Sequence, residues 1–358
     1  MKVVHIVNDL DAGGAQSLIA EIVRRPSHDT TFSVLVLSGE GAMDSRIRPY
    51  VQTIEYVGIE RDAVSPTAAI RVIRQFLKRV RPDVVQTHLL HSDILAVLAS
   101  FGTGCPIVWT VHTSGYNRND PLRTRLLAGS VRFVSWRPRA VVACTESAAD
   151  WAAARGVARS KMQVIPNGVE VPELQREDDC SGSRFLHMAR PHPMKDHPGM
   201  IEAFRLHETD GGAGQLTLAG PQVDAELIRR SGAEVGGIEA IGPVSNPREV
   251  IQAHDAVVIS SRYGEALPMV GLEALACGRP VITTNVGDCR KLALEPWMVV
   301  EPADSRALSN ALTQFSELPV ERKFGLRVRA HQLAKSNFSI DDAAASYIRL
   351  YERIGAQS

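Results

Sequence analysis

Short apolar runs rich in β-branched residues alternate along the chain with longer segments whose apolar positions recur at helical spacing. Each run predicts a buried parallel strand, because a strand covered on both faces has no polar face. In the first half, strands are predicted at 2–7, 33–38, 83–88, 107–111 and 140–145. In the second half, they are predicted at 184–189, 215–219, 238–241, 255–260, 281–284 and 297–300. This alternation predicts an α/β protein with doubly wound parallel sheets.

The restart of the pattern sets the predicted domain boundaries. The chain has 358 residues, more than one hydrophobic core usually serves. We predict an N-terminal domain over 1–170, an exposed polar linker over 171–183 and a C-terminal domain over 184–336. A last helix is predicted within 337–358, beginning after Ser339.

Charge and cysteine content exclude several classes of protein. Lysine plus arginine and aspartate plus glutamate both number 40, so nothing indicates a nucleic-acid partner. The five cysteines show no C-x-x-C spacing, which disfavours a disulfide framework or a zinc site. The opening residues lack the features of a signal peptide, and glycines and a proline break the apolar stretch 94–111. We therefore expect a cytoplasmic protein and interpret that stretch as helix, turn and strand.

The most informative stretch, 255–288, reads as strand, loop, helix and strand. Pro268 suits the first helical position, where its missing N–H leaves no hydrogen bond unmade. The backbone N–H groups of Leu267, Met269 and Val270 lie at the positive end of the helix dipole. Together they predict a site for a phosphate group.

Two carboxylates frame this turn. Glu265 lies in the loop and Glu273 in the first turns of the helix, with seven residues between them. Both would repel a phosphate, so they predict hydrogen bonds to sugar hydroxyls beside it. The alternative is that both are solvated surface carboxylates. The pair lies at a strand-to-helix crevice, where open α/β sheets bind ligands, and this favours the functional interpretation.

A second cationic site is predicted at the end of the strand 184–189. Arg190 and Lys195 lie in a loop that Pro191 and Pro193 stiffen. Two cations at a strand end suit a diphosphate, because arginine can grip two oxygen atoms while lysine acts as a point charge. The alternative is two solvated loop cations.

The residues around Glu265 and Glu273 resemble the donor site of the family-4 retaining glycosyltransferases. The likeness rests on a Glu, seven residues and a Glu, an intervening Leu-Pro, and the following Ala-Cys-Gly-Arg-Pro-Val-Ile. Ile-Pro-Asn-Gly-Val at 165–169 also matches the family. The resemblance implies the GT-B fold, with two Rossmann-like domains facing a central cleft and a C-terminal helix crossing back to the first. Ala266 stands where the family usually has Gly, which leaves the sugar open.

The resemblance also implies roles for individual residues in the second domain. Glu273 would bind the ribose of a sugar nucleotide, and Glu265 would contact the transferred sugar. Arg190 and Lys195 would hold the pyrophosphate, as would the backbone after Leu267.

Two further parts of the donor site follow from the same resemblance. Gly13 and Gly14 would lie under the donor sugar and the diphosphate, since glycines let the backbone approach a ligand closely. Val244 would lie in the turn beside the nucleotide base.

His112 follows the strand 107–111 at its carboxyl end, the edge where parallel sheets bind ligands. The resemblance implies that it contacts the donor sugar or the acceptor. His88 and His91, close to a neighbouring strand end, are competing candidates, and a structural role for His112 is the alternative.

The loop after the first strand also carries Asp9-Leu-Asp11, which mimics the D-x-D metal motif of another glycosyltransferase fold. Its place in the first βα loop favours metal-independent chemistry under the family pattern. We therefore predict no metal and no cofactor, with the nucleoside-diphosphate sugar as a substrate.

A basic segment runs from Arg118 to Arg139 with six arginines and one acidic residue, Asp120. Apolar residues are interleaved with them: Leu122, Leu126, Leu127, Val131, Val134 and Trp136. One interpretation is an ordinary helix with an apolar core face and a solvated basic face. The other is a peripheral surface for anionic lipid headgroups or a lipid-diphosphate acceptor.

These observations predict a retaining glycosyltransferase in polysaccharide, glycolipid or glycoside biosynthesis. Its catalytic residues would be His112, Glu265, Arg190 and Lys195. The acceptor is open among a lipid-linked glycan, a small molecule and a polyol. The alternatives are a nucleotide-sugar epimerase of the same fold and a non-catalytic sugar-nucleotide-binding protein.

Overall fold

The computed structural model describes residues 1–11, 13–27, 29–59, 65–174, 182–230 and 236–357. It divides into two compact units. The N-terminal unit comprises Met1–Gly168 and Ile340–Ser358, and the C-terminal unit comprises Val169–Ser339. Most of the predicted linker, 175–181, lies outside the described residues.

The N-terminal unit is built on a seven-stranded parallel sheet. Its strands are β1 (Lys2–Val7), β2 (Thr31–Val36), β3 (Thr53–Tyr56), β4 (Val84–His88), β5 (Ile107–Val111), β6 (Ala140–Ala143) and β7 (Met162–Val164). Its helices before residue 169 are α1 (Gly14–Val23), α2 (Asp44–Ile47), α3 (Pro66–Val80), α4 (Leu90–Ser100), α5 (Leu122–Val134) and α6 (Glu146–Ala153). The strand order is β3-β2-β1-β4-β5-β6-β7.

The C-terminal unit is built on a six-stranded parallel sheet. Its strands are β8 (Arg184–Met188), β9 (Gln215–Ala219), β10 (Ile238–Gly242), β11 (Ala256–Ile259), β12 (Val281–Thr284) and β13 (Val299–Val300). Its helices are α7 (His197–Thr209), α8 (Ala225–Arg230), α9 (Pro247–Gln252), α10 (Met269–Ala276), α11 (Ser305–Ser316) and α12 (Val320–Asn337). The strand order is β10-β9-β8-β11-β12-β13.

Both sheets confirm the predicted doubly wound α/β architecture. In each sheet the chain leaves its first strand in one direction and later returns to add strands on the other side. The reversal falls between β1 and β4 in the N-terminal unit and between β8 and β11 in the C-terminal unit. Such a topological switch point opens a crevice at the carboxyl ends of the strands, where ligands bind.

The last helix, α13 (Ile340–Gly355), belongs to the N-terminal unit. It places Tyr347, Tyr351 and Ile354 in the hydrophobic core that α1 and the strands β1 and β2 also line. These side chains are at most 3% exposed, so residues from both ends of the chain build this core.

Three local features differ from the sequence prediction. The strands β3 and β7 were not predicted, because all their residues are only partly buried and the apolar signal is weak. Pro268 is the N-cap of α10 rather than its first residue, with the extended backbone (φ −69°, ψ 129°) of a capping position. The last strand is shorter than predicted, since Pro296–Met298 forms a 3₁₀ turn.

The apolar stretch 94–111 resolves into the end of α4, a turn and β5, as predicted. Across the part of the chain that the structure describes, no helix is both long and apolar enough to span a bilayer.

Candidate active site

Two loops flank the switch point of the C-terminal unit, one after β8 and one after β11. Backbone and side-chain hydrogen bonds join them: the Arg262 N–H donates to the Met194 carbonyl oxygen over 2.7 Å. The Ser260 hydroxyl donates to the Lys195 carbonyl oxygen over 2.9 Å. The loop that carries the predicted cations is therefore held against the loop that carries Glu265.

Lys195 and Glu265 form an ion pair across these loops, in which the lysine Nζ donates to the glutamate Oε1. The Ser261 hydroxyl donates to the same oxygen over 2.8 Å. The Glu265 side chain is 8% exposed and that of Lys195 is 19% exposed. A charged pair this well enclosed keeps a fixed geometry, but the loss of either partner would leave a buried uncompensated charge.

The helix α10 follows the Glu265 loop directly and presents an uncapped N-terminus. No side chain caps it, and the N–H groups of Met269 and Val270 have no partner among the described residues. Such orphan donors, with the helix dipole behind them, favour an anion. Glu273 lies half-buried on the same helix, and Leu267 is buried in the loop before it.

Arg190 lies just past the end of β8, exposed and without a hydrogen bond or ion pair to any described residue. Gly220, which follows β9 and has a φ of 141°, lies close to the backbone of Ala189 and Arg190. A Cβ atom at Gly220 would lie 2.4 Å from the Ala189 carbonyl oxygen, so the position requires glycine. Val244, after β10, is half-buried and packs on a core cluster of this unit.

The structure thus brings five predicted elements to one edge of the C-terminal sheet. The carboxyl ends of parallel strands lie at the same edge of a sheet, and each of these elements follows such an end. They are Arg190, Lys195, Val244, Glu265 and the start of α10 with Glu273. This edge of the sheet carries two cations, two unpaired N–H groups and two carboxylates, a set suited to a phosphate flanked by hydroxyl groups.

In the N-terminal unit, Gly13 is the N-cap of α1 and Gly14 its first residue. The Asp9 carboxylate accepts hydrogen bonds from the Gln16 amide over 2.8 Å and from the Asp11 N–H over 3.2 Å. Asp9 therefore stabilises this turn. Within the described ranges, no three His, Cys, Asp or Glu side chains are grouped so that they could hold a metal ion.

The predicted histidine lies at the end of a chain of three histidines across β1, β4 and β5. His5 Nδ1 is 3.0 Å from His88 Nε2, and His88 Nδ1 is 3.3 Å from His112 Nε2. The ring centroids of neighbouring members are 5.3 and 5.6 Å apart. His91, the other candidate, is exposed on α4. His5 was not predicted as part of the site, although a histidine inside an apolar strand indicates a buried ring that needs a partner.

Burial keeps all three rings neutral. It lowers the pKa of His5 to about 3 and that of His112 to about 4, and it lowers the pKa of His88 well below its usual value. His88 and His5 are fully buried, and His112 is partly exposed. His112 therefore offers a neutral imidazole at physiological pH.

The hydrogen bonds between the three histidines also determine which nitrogen of His112 carries its proton. His5 Nε2 has no hydrogen-bond partner among the described residues. A buried unpaired N–H is rarer than a buried unpaired acceptor, so the His5 proton belongs on Nδ1. His5 then donates to His88, and His88 donates to His112 Nε2. His112 keeps its proton on Nδ1, which is left to donate to a ligand.

The buried histidines predict a pH dependence of stability. Because the pKa of folded His5 lies below that of an unfolded histidine, stability is lost as pH falls below about 6.5. We expect His5→Phe to reduce this slope between pH 6 and 5 by one proton, about 1.4 kcal/mol per pH unit. Denaturant unfolding followed by tryptophan fluorescence measures it. His331→Phe, in the other unit, is the control, and an unchanged slope in His5→Phe would contradict the assignment.

Comparison with known proteins places the chain in a family. The sequence model of Glycosyltransferase Family 4 matches residues 12–172, and that of Glycosyl transferases group 1 matches residues 182–317. D-inositol 3-phosphate glycosyltransferase of Acidothermus cellulolyticus is 26% identical over 240 residues, 57% of this chain and 52% of that protein. The match thus spans about half the length of that relative.

Two further proteins are similar over more of the chain. Phosphatidyl-myo-inositol mannosyltransferase of Mycobacterium leprae is 26% identical over 321 residues, 84% of this chain and 81% of that protein. The crystal structure of Anabaena HepE in complex with UDP and glucose has a TM-score of 0.81 at 17% identity, covering 98% of this chain and 99% of that one. These matches confirm the predicted family and fold. The two sequence models together span most of the chain, and the protein belongs to the family-4 glycosyltransferases with the GT-B fold.

Proposed function

We propose that the protein is a retaining glycosyltransferase that moves a sugar from a nucleoside-diphosphate sugar to an acceptor hydroxyl. The observation that carries this proposal is the Lys195–Glu265 pair beside the uncapped start of α10. Family membership supports the reaction class. The product would enter polysaccharide, glycolipid or glycoside biosynthesis.

The proposed catalysis depends on stabilising the negative charge that develops on the leaving group. Departure of the nucleoside diphosphate builds negative charge on oxygen, and fixed donors aimed at that charge lower the barrier most. Lys195 and the N–H groups at the start of α10 are such donors, and in this proposal the exposed Arg190 joins them when the diphosphate binds. They supply the stabilisation that a metal ion would otherwise give, so we propose metal-independent transfer.

Retention requires the acceptor to attack on the face that the leaving group vacates. In this proposal Glu265 accepts hydrogen bonds from the transferred sugar, and His112 donates from Nδ1 to the sugar or the acceptor. Glu273 accepts from the ribose hydroxyls. Gly13 and Gly14 let the backbone approach the donor, and Val244 lies by the base. Complexes of Anabaena HepE with UDP, with UDP and glucose and with UDP-glucose support a nucleotide sugar as the donor.

A panel of sugar nucleotides tests the proposal by thermal shift and by transfer in the presence of EDTA. We expect one donor to raise the melting temperature, and we expect the transferred sugar to keep its anomeric configuration by NMR. Glu273→Ala should raise the donor KM by roughly tenfold or more, since a charged hydrogen bond to the ribose contributes about 1.5–3 kcal/mol. Glu321→Ala, on α12, is the control. Conversion of the donor without an acceptor would indicate an epimerase, and inverted product would contradict retention.

The basic segment forms a helix, as predicted, but most of its apolar residues do not face the core. Only Ala128 and Val131 are buried on α5. A basic–apolar surface is exposed instead, with large apolar side chains between 44% and 67% exposed: Phe101, Leu122, Leu126, Phe133 and Trp136. The interpretation as an ordinary helix with an apolar core face is therefore wrong for Leu122, Leu126 and Trp136.

The arginines of the same segment lie among these side chains. Arg132 stacks over the Phe133 ring at 4.9 Å, and Arg137 stacks over the Phe101 ring at 5.8 Å. Five of the six arginines are exposed: Arg118, Arg123, Arg125, Arg132 and Arg139. The one acidic side chain, Asp120, is buried and accepts from the Asn117 N–H over 2.7 Å.

We propose that the basic–apolar surface contacts an anionic membrane peripherally, on its cytoplasmic face. Apolar side chains that enter the headgroup region, surrounded by arginines, have the chemistry that anionic lipid surfaces recognise. This location leaves a lipid-linked glycan, a small molecule and a polyol as acceptor classes.

A further inference from the structure

A cavity of about 100 Å³ lies inside the N-terminal unit, between the end of β5 and the helices α5 and α6. His112 forms part of its wall. Much of the remaining wall is aromatic or aliphatic, from Trp109, Tyr116, Val131 and Trp151. The inner side of α5 contributes Val131, while the exposed side of the same helix belongs to the basic–apolar surface.

Two wall residues carry donors that the protein leaves unpaired. The indole N–H groups of Trp109 and Trp151 are buried and have no hydrogen-bond partner among the described residues. Trp151 is held by the Tyr116 ring, with centroids 5.8 Å apart, and by the Arg155 guanidinium 4.1 Å from its ring. A buried donor without a partner costs about 1–3 kcal/mol. Both N–H groups lie beneath the surface of the wall, so a ligand in the cavity contacts the indole rings rather than their N–H groups.

The wall carries no formal charge at neutral pH. Among the residues that the structure describes, no lysine, arginine or glutamate lines the cavity. Burial raises the pKa of Asp93 to about 8, against the Thr87 hydroxyl that donates to it, so this carboxyl is mainly protonated. His112 is neutral for the reason given above. An anion placed here would lose its hydration without contacting a cation, because Arg155 packs on the Trp151 ring but does not line the cavity. The cavity therefore selects against phosphates and carboxylates.

We propose that this cavity binds an uncharged, mainly apolar group of the acceptor. A cavity of 150 Å³ accepts benzene, so this smaller one suits a group of about four or five carbon atoms. The inference rests on the proposed function, because it makes the ligand beside His112 an acceptor. It favours acceptors with an aliphatic or cyclic body over a polyol phosphate, every part of which is strongly polar.

Small probes test the cavity without requiring transfer. Saturation-transfer NMR on the full chain would compare 3-methyl-1-butanol with 3-methylbutanoate at pH 7, since the two share a carbon skeleton and differ in charge. We expect the alcohol to bind at least tenfold more tightly than the carboxylate. Equal binding of the two probes would overturn the proposal.

Substitutions in the wall test whether the alcohol binds in this cavity. Val131→Phe should fill the cavity and weaken alcohol binding at least tenfold, whereas Leu126→Phe, on the exposed side of α5, should leave it unchanged. Trp151→Phe keeps an aromatic ring but replaces the indole in the wall by a smaller ring, and the lost contact should weaken alcohol binding about threefold to tenfold. If Val131→Phe does not fold, the conservative Trp151→Phe variant still tests whether the alcohol binds in this cavity. Alcohol binding that neither folded variant changes would overturn the proposal.

The outcomes also separate this inference from the proposed function. Transfer from a nucleotide sugar without probe binding at this site would overturn the inference and leave the proposed function standing. Probe binding at the cavity in a protein that binds no nucleotide sugar would overturn the proposed function, and with it the role of the cavity as an acceptor site.

Discussion

Replacing Lys195 with methionine is expected to lower kcat by about two to three orders of magnitude. The loss of one fixed donor to a developing negative charge typically costs this much. In the structure the Lys195 ammonium is enclosed, its backbone is tied to Ser260, and it donates to Glu265. It is therefore positioned before the donor arrives. Steady-state kinetics with the donor found in the panel would measure the effect, and Lys335→Met, on an exposed turn of α12, is the matched control.

The ion pair complicates this variant, because Lys195→Met leaves the buried Glu265 carboxylate without its cation. We expect a lower melting temperature for the single variant for that reason. The double variant Lys195→Met/Glu265→Gln removes both charges and should recover much of the stability while remaining inactive. A double variant that regained activity along with stability would show that Lys195 acts only by holding the loop, and would contradict a role at the leaving group.

Substitution of the basic–apolar surface is expected to weaken binding to anionic vesicles by more than an order of magnitude. Each arginine near an anionic bilayer contributes about 1 kcal/mol, so Arg125→Ala with Arg132→Ala should weaken binding roughly thirtyfold. Phe133→Glu should weaken it further, by placing a carboxylate where an aromatic ring would enter the headgroup region. Flotation with vesicles of phosphatidylcholine, with and without phosphatidylglycerol, measures both effects. Added salt should weaken binding of the wild type.

Phe324→Glu offers a matched control, since Phe324 is 43% exposed on α12 in the other unit. It should leave flotation unchanged. Equal binding to vesicles with and without the anionic lipid would contradict a contact based on the arginines. A concentration-dependent dimer that Phe133→Glu dissociates would assign the surface to a second copy of the chain instead.

The fold could be predicted from the sequence because its central strands are buried on both faces. The runs at Lys2–Val7 and Ile107–Val111 are apolar enough to be recognised without a partner strand. The strand β3 was not predicted because it lies at the edge of the sheet and is only partly buried, so its sequence has fewer apolar residues. The start of the last helix was predicted well from the capping residue Ser339, since α13 begins at Ile340.

The candidate site could be predicted only as far as local sequence specifies it. The uncapped start of α10 follows from Pro268 and the residues after it, which are neighbours in the chain. The pairing of Lys195 with Glu265 joins residues 70 positions apart, and no local pattern encodes it. The same holds for the contact of His5 with His88, 83 positions apart.

The exposure of Leu126 could not be predicted for a different reason. Helical spacing of apolar residues identifies a helix with an apolar face, but it does not say whether that face meets a core or solvent. In α5 the buried side is narrow, with Ala128 and Val131 alone fully covered. Only the packing of the neighbouring elements decides this, and it depends on the whole unit.

The core of the N-terminal unit includes α13, which leaves the ribosome after every residue of the C-terminal unit. During synthesis, the segment Val169–Ser339 is therefore complete while the earlier half still lacks Tyr347 and Tyr351. The half made first is finished last, so a released chain that ends at Ser339 would expose the apolar side chains that Tyr347 and Tyr351 cover, although its second half would be complete.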